Sequence, residues 1–325
     1  MPFAQGSRSG LAYCVENTFG VTPTTPQLKS IPINTHSLSL NKDAIESGEI
    51  RSDRMIKFMR HGNRQIGGTI ETELRVGDFD DLLQSAFFGR FSGGILKNGI
   101  QPLYLTIEDR SEDINQYRVF RGCAVNTLAV SIKPNAIVTA TFGIVGKSST
   151  SSNASIDSDA SIEDTSDNQP FVSFEGTLKE GGTNQAIITG LDFQIDNGLQ
   201  PTFVVGSAET PQLEYGRSNV TGTITAYYQD QTLMNKFLNE TESSLEMSLS
   251  DGTNTYNFKM PRIKYSGAEV PVQNEQSRII TLPFTALLDD ASDASIILGS
   301  SSNSSGGDTG GGIQPGFLFL TPFTQ

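Results

Sequence analysis

The chain has 325 residues, 36% of them apolar, with 19 Phe, no Trp and a net charge of −13. That length suggests about two domains, with enough apolar content for a buried core. No run approaches the ~18 apolar residues of a membrane-spanning helix, and Met1 to Arg8 hold no apolar export segment, so the chain is expected to be made and kept in a cytoplasm.

Charge is uneven: residues 1–147 carry 16 basic and 14 acidic side chains, and residues 148–325 carry the remaining 7 and 22. So acidic a chain gains nothing from neutralising nucleic-acid phosphates. It suits instead a passage along which nucleic acid must not adhere.

In chain order, residues 1–32 read as an extended arm whose prolines exclude helix. Ile33 to Leu40 is a strand, with Leu38 and Leu40 alternating against Ser37 and Ser39. Residues 41–66 form a long charged loop bearing Arg51, Arg54, Lys57, Arg60, His61 and Arg64. A loop of that length in a compact domain is functional or unstructured. Its basic density suits an acidic partner surface.

Gly67 to Val76 then alternates with period two: Ile70, Thr72, Leu74 and Val76 face one way, and Thr69, Glu71, Glu73 and Arg75 the other. The spacing switches to helical at once, with Phe79, Leu82, Leu83, Ala86 and Phe87 on one stripe. Asp78 is the expected cap and Gly89 the stop. Residues 102–107 and 116–120 read as a hairpin around a polar turn at 108–115. Cys123 to Ile132 and Ala136 to Val145 continue the β pattern around the turn Lys133-Pro134-Asn135. Residues 148–169, rich in Ser and Asp, have almost nothing to bury and read as a linker. Their acids lack the spacing of a calcium loop.

The second half repeats the first. Phe171 to Glu175 opens it, and Leu191 to Ile195 stands where Leu38 and Leu40 stood. A shorter, less basic loop at 196–219 leads into Gly222-Thr223-Ile224, which lies 154 residues after Gly68-Thr69-Ile70. Asp230 then caps a stripe of Leu233, Met234, Phe237 and Leu238. Residues 245–249 and 255–258 form a hairpin turning at Asp251-Gly252. Ile280, Leu282, Phe284 and Ala286 follow Val138, Ala140, Phe142 and Ile144 at a constant offset of 142, and Leu245 follows Leu103 at the same offset. Domains are therefore expected at 1–147 and 171–298, joined by an acidic linker over 148–170. A Gly/Ser tether begins at 299 and leads to an apolar peptide containing Phe317, Leu318, Phe319 and Leu320, which is expected to dock in cis or on a neighbour.

Chemistry is not evident. Cys14 and Cys123 are expected as buried thiols, and His36 and His61 have neither zinc spacing with them nor a nucleophile context. Gly93-Gly94 and Gly181-Gly182 are turns, not phosphate loops. No catalytic residue, cofactor or metal is expected, and the chain does not read as an enzyme.

The motif Tyr13-Cys14-Val15-Glu16-Asn17-Thr18-Phe19-Gly20-Val21-Thr22-Pro23, the loop 41–66, Gly67-Gly68-Thr69-Ile70 and the helix at 79–88, in that order, resemble the tail tube (major tail) proteins of long-tailed, non-contractile phages, here with a duplicated tube domain. The resemblance implies β-sandwich or partly closed barrel domains, each with one flanking helix. It further implies sheets that join around a lumen and rings that stack into a tube. A single-domain relative would form six-membered rings, so a duplicated chain would form trimers with pseudo-sixfold symmetry.

On this reading Arg51, Arg54, Lys57, Arg60 and Arg64 contact the next ring, while Glu71, Glu73, Thr223 and Thr225 line an acidic lumen through which DNA is ejected without specific binding. The partners implied are further copies of the chain, a tape measure protein, and tail terminator and distal tail proteins, with no membrane. The implied location is the virion tail, assembled in a bacterial cytoplasm. A two-domain β adhesin or a virion decoration protein would share the repeat and the acidic surface.

Overall fold

A computed structural model describes residues 3–157, 162–185, 187–272, 275 and 277–301. The apolar peptide with Phe317, Leu318, Phe319 and Leu320 lies outside the described residues. The strand expected around residue 70 is present and two-faced: Ile66, Ile70, Thr72 and Leu74 are 0% exposed, whereas Glu71 is open to solvent.

The first half comprises β1 (Ser9–Glu16), β2 (Lys29–Ile31), β3 (Thr35–His36), β4 (Ser39–Glu46), β5 (Met59–Glu73), helix α1 (Asp80–Phe87), β6 (Ile95–Lys97), β7 (Tyr104–Ser111), β8 (Gln116–Ile132), β9 (Thr139–Gly146) and β10 (Ser148–Ser152). The second comprises β11 (Thr177–Glu180), β12 (Thr183–Asn184), β13 (Ile188–Asp196), β14 (Gln200–Pro201), β15 (Leu213–Glu214), β16 (Asn219–Tyr227), helix α2 (Thr232–Leu238), β17 (Ser243–Ser250), β18 (Thr255–Tyr265), β19 (Ile279–Ala286) and β20 (Ile297–Ser301). The chain is mainly β, as its alternation indicates.

Each half stacks two sheets on one core. In the first, β2–β1–β7 and the start of β8 form one layer, and β4–β5–β9 with the end of β8 form the other. In the second, β11–β17 and the start of β18 face β13–β16–β19. The last residues of β18 cross to pair with β19. Strands β8 and β18 therefore serve the same purpose, each beginning in one layer and ending in the other. Residues 116–120 and 123–132, expected as separate strands, are one strand of 17 residues.

Four local expectations are revised. The N-terminal arm includes a central strand, because Leu11, Ala12, Tyr13 and Cys14 of β1 are buried between β2 and β7. The loop 41–66 is largely a β-hairpin made by β4 and the start of β5. Its strands are wet on both sides and so carry no amphipathic alternation. The helix α1 begins without a side-chain cap, because Asp78 turns away to Arg75 (3.2 Å) and to the backbone N–H of Ser166 (2.7 Å). The 148–169 segment is tied to the body: β10 pairs with β8, and Ile156 and Ile162 pack on Ala12, Cys14 and Leu28. The helix α2 likewise has no side-chain bond from its cap, Gln231; Asp230, one residue ahead of it, accepts from the Thr232 N–H at 2.8 Å. That bond holds its carboxyl below the usual carboxylate range.

The repeated glycines mark close approaches between strands. A Cβ on Gly68 would lie 2.6 Å from the Ser37 carbonyl oxygen, and one on Gly222 would lie 2.5 Å from that of Asp192. Gly68 also sits at φ +145°, where side chains are disfavoured. In each half the opening strand is thus pressed against the same glycine of its neighbour. Gly222→Ala should cost about 1–3 kcal/mol through overpacking, seen as a lower thermal midpoint.

Candidate assembly surfaces

Three surfaces could carry function: a bare sheet face, a projecting hairpin and the seam between the halves. The seam is built first by backbone. The end of β8 pairs antiparallel with β13, from Leu191 opposite Ile132 through Asp196 opposite Thr127. This joins the two half-sheets into one, ordered β4–β5–β9–β8–β13–β16–β19, with the end of β18 at its far edge.

Side chains then align in rows across it. One buried row runs Ile70, Phe142, Leu128, Ile195, Val220, Ala286, Ile263, and the core it enters spans both halves without a break. A neighbouring row on the opposite face runs Thr35, Glu71, Thr141, Ala129, Gln194, Thr221, Thr285, Lys264. A second runs Glu73, Thr139, Ser131, Asp192, Thr223, Pro283. No member of these two rows is buried, so this face of the sheet is uncovered, and half of the residues in the rows are Ser or Thr.

Glu71, Glu73, Thr223 and Thr225 share that face, with Thr225 opposite Thr281. Asp192, which accepts from Ser131 Oγ across the seam, adds a further acid, and Lys264 is the one cation in the two rows.

The seam is locked from the other side by residues that local pattern does not reveal. Asn197 Nδ2 donates to the carbonyl oxygens of Ala86 (2.8 Å) and Val125 (3.2 Å). Leu199 and Leu213, flanking the loop between β14 and β15, bury Phe88 at the end of α1, and Tyr215 meets the Phe88 ring at 5.4 Å. At the opposite end β20 pairs with β6. Tyr256 OH donates to Asp80 Oδ1 (3.0 Å) and accepts from the Gly77 N–H (3.4 Å). Burial holds the Asp80 carboxyl above its usual range, partly offset by that tyrosine, and drives the Tyr256 phenol well up.

The hairpin of β4 and β5 projects from the sheet with Ile45, Ile50, Met55, Ile56, Phe58 and Met59 all more than half exposed. Its cations are not equivalent. Arg51 is paired with Asp53 at 2.6 Å, and Lys57 lies 4.9 Å from the Phe58 ring centroid. Arg64 sits at the root, where its N–H donates to Ala208 O (2.7 Å) and its guanidinium reaches Glu209 (3.8 Å). The structure therefore places Arg64 in an internal contact with the second half, apart from the tip. Arg54 and Arg60 have no ion-pair partner among the described residues.

Cys14 and Cys123 are buried and unpaired. Burial, then Glu16, pushes the Cys14 thiol up to about 12. Such thiols are poor nucleophiles. His36 is half-buried, 3.7 Å from Asp109 Oδ1, and His61 is exposed on the hairpin. Among the described residues no group of three or more His, Cys, Asp or Glu is placed to hold a metal ion, and no helix is long and apolar enough to cross a membrane.

The two antiparallel halves are thus fused into one sheet with one bare face. The chain belongs to the phage tail tube protein family, whose model matches residues 6–286. No curated protein matches the sequence.

Because Tyr256 links the halves through two hydrogen bonds, Tyr256→Phe should cost about 1–3 kcal/mol. Denaturant unfolding should show a lower midpoint at unchanged slope.

Proposed function

We propose that this chain is the repeating subunit of the tail tube of a long-tailed, non-contractile phage, assembling as trimeric rings with pseudo-sixfold symmetry that stack around a lumen. The observation that carries this reading is the fused sheet: the two halves already join edge to edge, and the result has one bare face and an open strand at either end. Open edges are a liability that closure into a ring removes. Two unequal modules per subunit give three subunits six positions.

The bare face becomes the lumen wall. Its Ser and Thr hydroxyls present no cationic grip to phosphate, and Glu71, Glu73 and Asp192 repel it, so DNA slides through on ejection. The hairpin tip, with exposed apolar side chains and the cations Arg54, Lys57 and Arg60, contacts the acidic second half of a subunit in the adjoining ring, while Arg64 steadies its root. The subunit's role is mechanical, and it is assembled in the bacterial cytoplasm into the virion tail. A tape measure protein fills the lumen before ejection, and terminator and distal tail proteins cap the ends.

Electron microscopy of the purified protein at rising concentration tests this. Rings or tubes with a central hole and threefold end-on averages are expected; a persistent monomer would overturn the reading, and six subunits per ring would overturn the trimer. Deleting residues 46–62 should leave rings but shorten or abolish tubes in the same images.

A further inference from the structure

The seam inside the chain is a template for a seam between chains. The strands that open the two halves occupy equivalent positions: Ser37 and Asp192 press their carbonyl oxygens on Gly68 and Gly222, and Leu40 and Ile195 lie opposite Ile66 and Val220. The strands that close them are equivalent as well: Leu128 lies opposite Phe142, and Tyr265 opposite Phe284. The closing strand of the first half meets the opening strand of the second at β8 and β13. Past Ile263, which Ser243 of β17 still pairs, the closing strand of the second half has no strand partner on its outer edge among the described residues, and neither has the opening strand of the first.

Beyond Tyr265 the chain keeps running along β19. Ser266 N–H donates to Pro283 O (2.8 Å), and Glu269 and Thr281 exchange both backbone hydrogen bonds (3.0 and 2.9 Å). Three residues on one side against two on the other leave a bulge at Gly267. Ala268 and Val270 rest half-buried against the core, at the places where Val130 and Ile132 are buried at the internal seam.

We infer that residues 37–40 of a second copy of this chain add to residues 265–269 as an antiparallel strand, with Ser37 opposite Glu269, Leu38 opposite Ala268 and Leu40 opposite Tyr265. This deepens the tube reading above and rests on it.

The hydrogen-bond phase of both edges agrees with this register. Ser37 N–H donates inward to Thr69 O (2.9 Å), so the backbone groups of Leu38 face outward; Glu269 bonds inward to Thr281, so those of Ala268 face outward. Leu38 and Ala268 then form the hydrogen-bonded pair, and Ser37 and Glu269 the closer non-hydrogen-bonded one. At the internal seam a hydroxyl, Ser131, faces a carboxylate, Asp192. Ser37 and Glu269 repeat the pair with the sides exchanged. Tyr265 is held for the purpose: its OH donates to Glu180 (2.9 Å), which is 1% exposed and also receives Lys236 Nζ (2.7 Å) and Ser243 Oγ (2.7 Å). The internal seam buries Phe88 at the end of α1, whereas Leu238 at the end of α2 is 65% exposed. The root of a neighbour's hairpin covers it in this arrangement.

The full-length double variant Ser37→Cys/Glu269→Cys, assembled and then oxidised, tests the register. Strand pairs of this class are close enough for a disulfide, and the buried Cys14 and Cys123 stay out of the reaction. Most chains should join into reducible multimers on a denaturing gel, at least ~10-fold more than in the slipped control Ser39→Cys/Glu269→Cys. Rings without the bond, or equal bonding in the control, would overturn the seam and leave the tube standing. Absence of rings in the wild type would overturn both. If the double variant does not assemble, hydrogen exchange on wild-type rings decides: the amides of Leu38 and Ala268 should exchange at least ~10-fold more slowly than in the dissociated chain. Unchanged rates in intact rings would refute the pairing.

Discussion

Everything in this molecule leans on the pairing of β8 with β13. Six residue pairs along those strands, from Leu191 opposite Ile132 to Asp196 opposite Thr127, convert two small sheets into one. The ladder brings two apolar layers into line, so Leu128 and Val130 continue into Ile195 and Phe193 and a single core serves both halves. It equally decides what remains outside. Side chains alternate along each strand, so the same register that aligns the core rows aligns Glu71, Thr141, Gln194 and Thr221 on the other face.

Much of this was legible in residue order, because its cause is local. The alternation of Ile70, Thr72, Leu74 and Val76 against Glu71 and Glu73 identifies a strand and both its faces, and the helical stripe after it follows from Leu82, Leu83, Ala86 and Phe87. The constant offset from Phe142 to Phe284 reports two modules with one plan. Glu71, Glu73, Thr223 and Thr225 could be put on the wet side of their strands by the same reasoning, and they share one face of the fused sheet.

The rest depends on partners distant in sequence. Nothing within 188–196 says that it pairs with 127–132. The hairpin of β4 and β5 escapes a periodicity argument because neither of its faces is buried, leaving only a length of charged chain. Asp78 has the chemistry of a cap but is drawn away by Arg75 and by Ser166, 88 residues on. Asn197, whose amide spans Ala86 and Val125, sits in an unremarkable Asp-Asn-Gly turn and gains its part only when the halves meet. Gly68 and Gly222 stood out as repeats, but the reason for them, a carbonyl oxygen at the distance of a missing methyl, is visible only in three dimensions.

The internal seam also changes the thermodynamics of building anything larger from this chain. Two separate modules would have to find each other at whatever concentration the cell supplies, losing translational and rotational freedom each time. Here the modules share one backbone, so their local concentration is fixed by the connecting chain and dilution cannot part them. Every junction of the β8–β13 kind forms as a folding event, at a rate independent of how many copies are present.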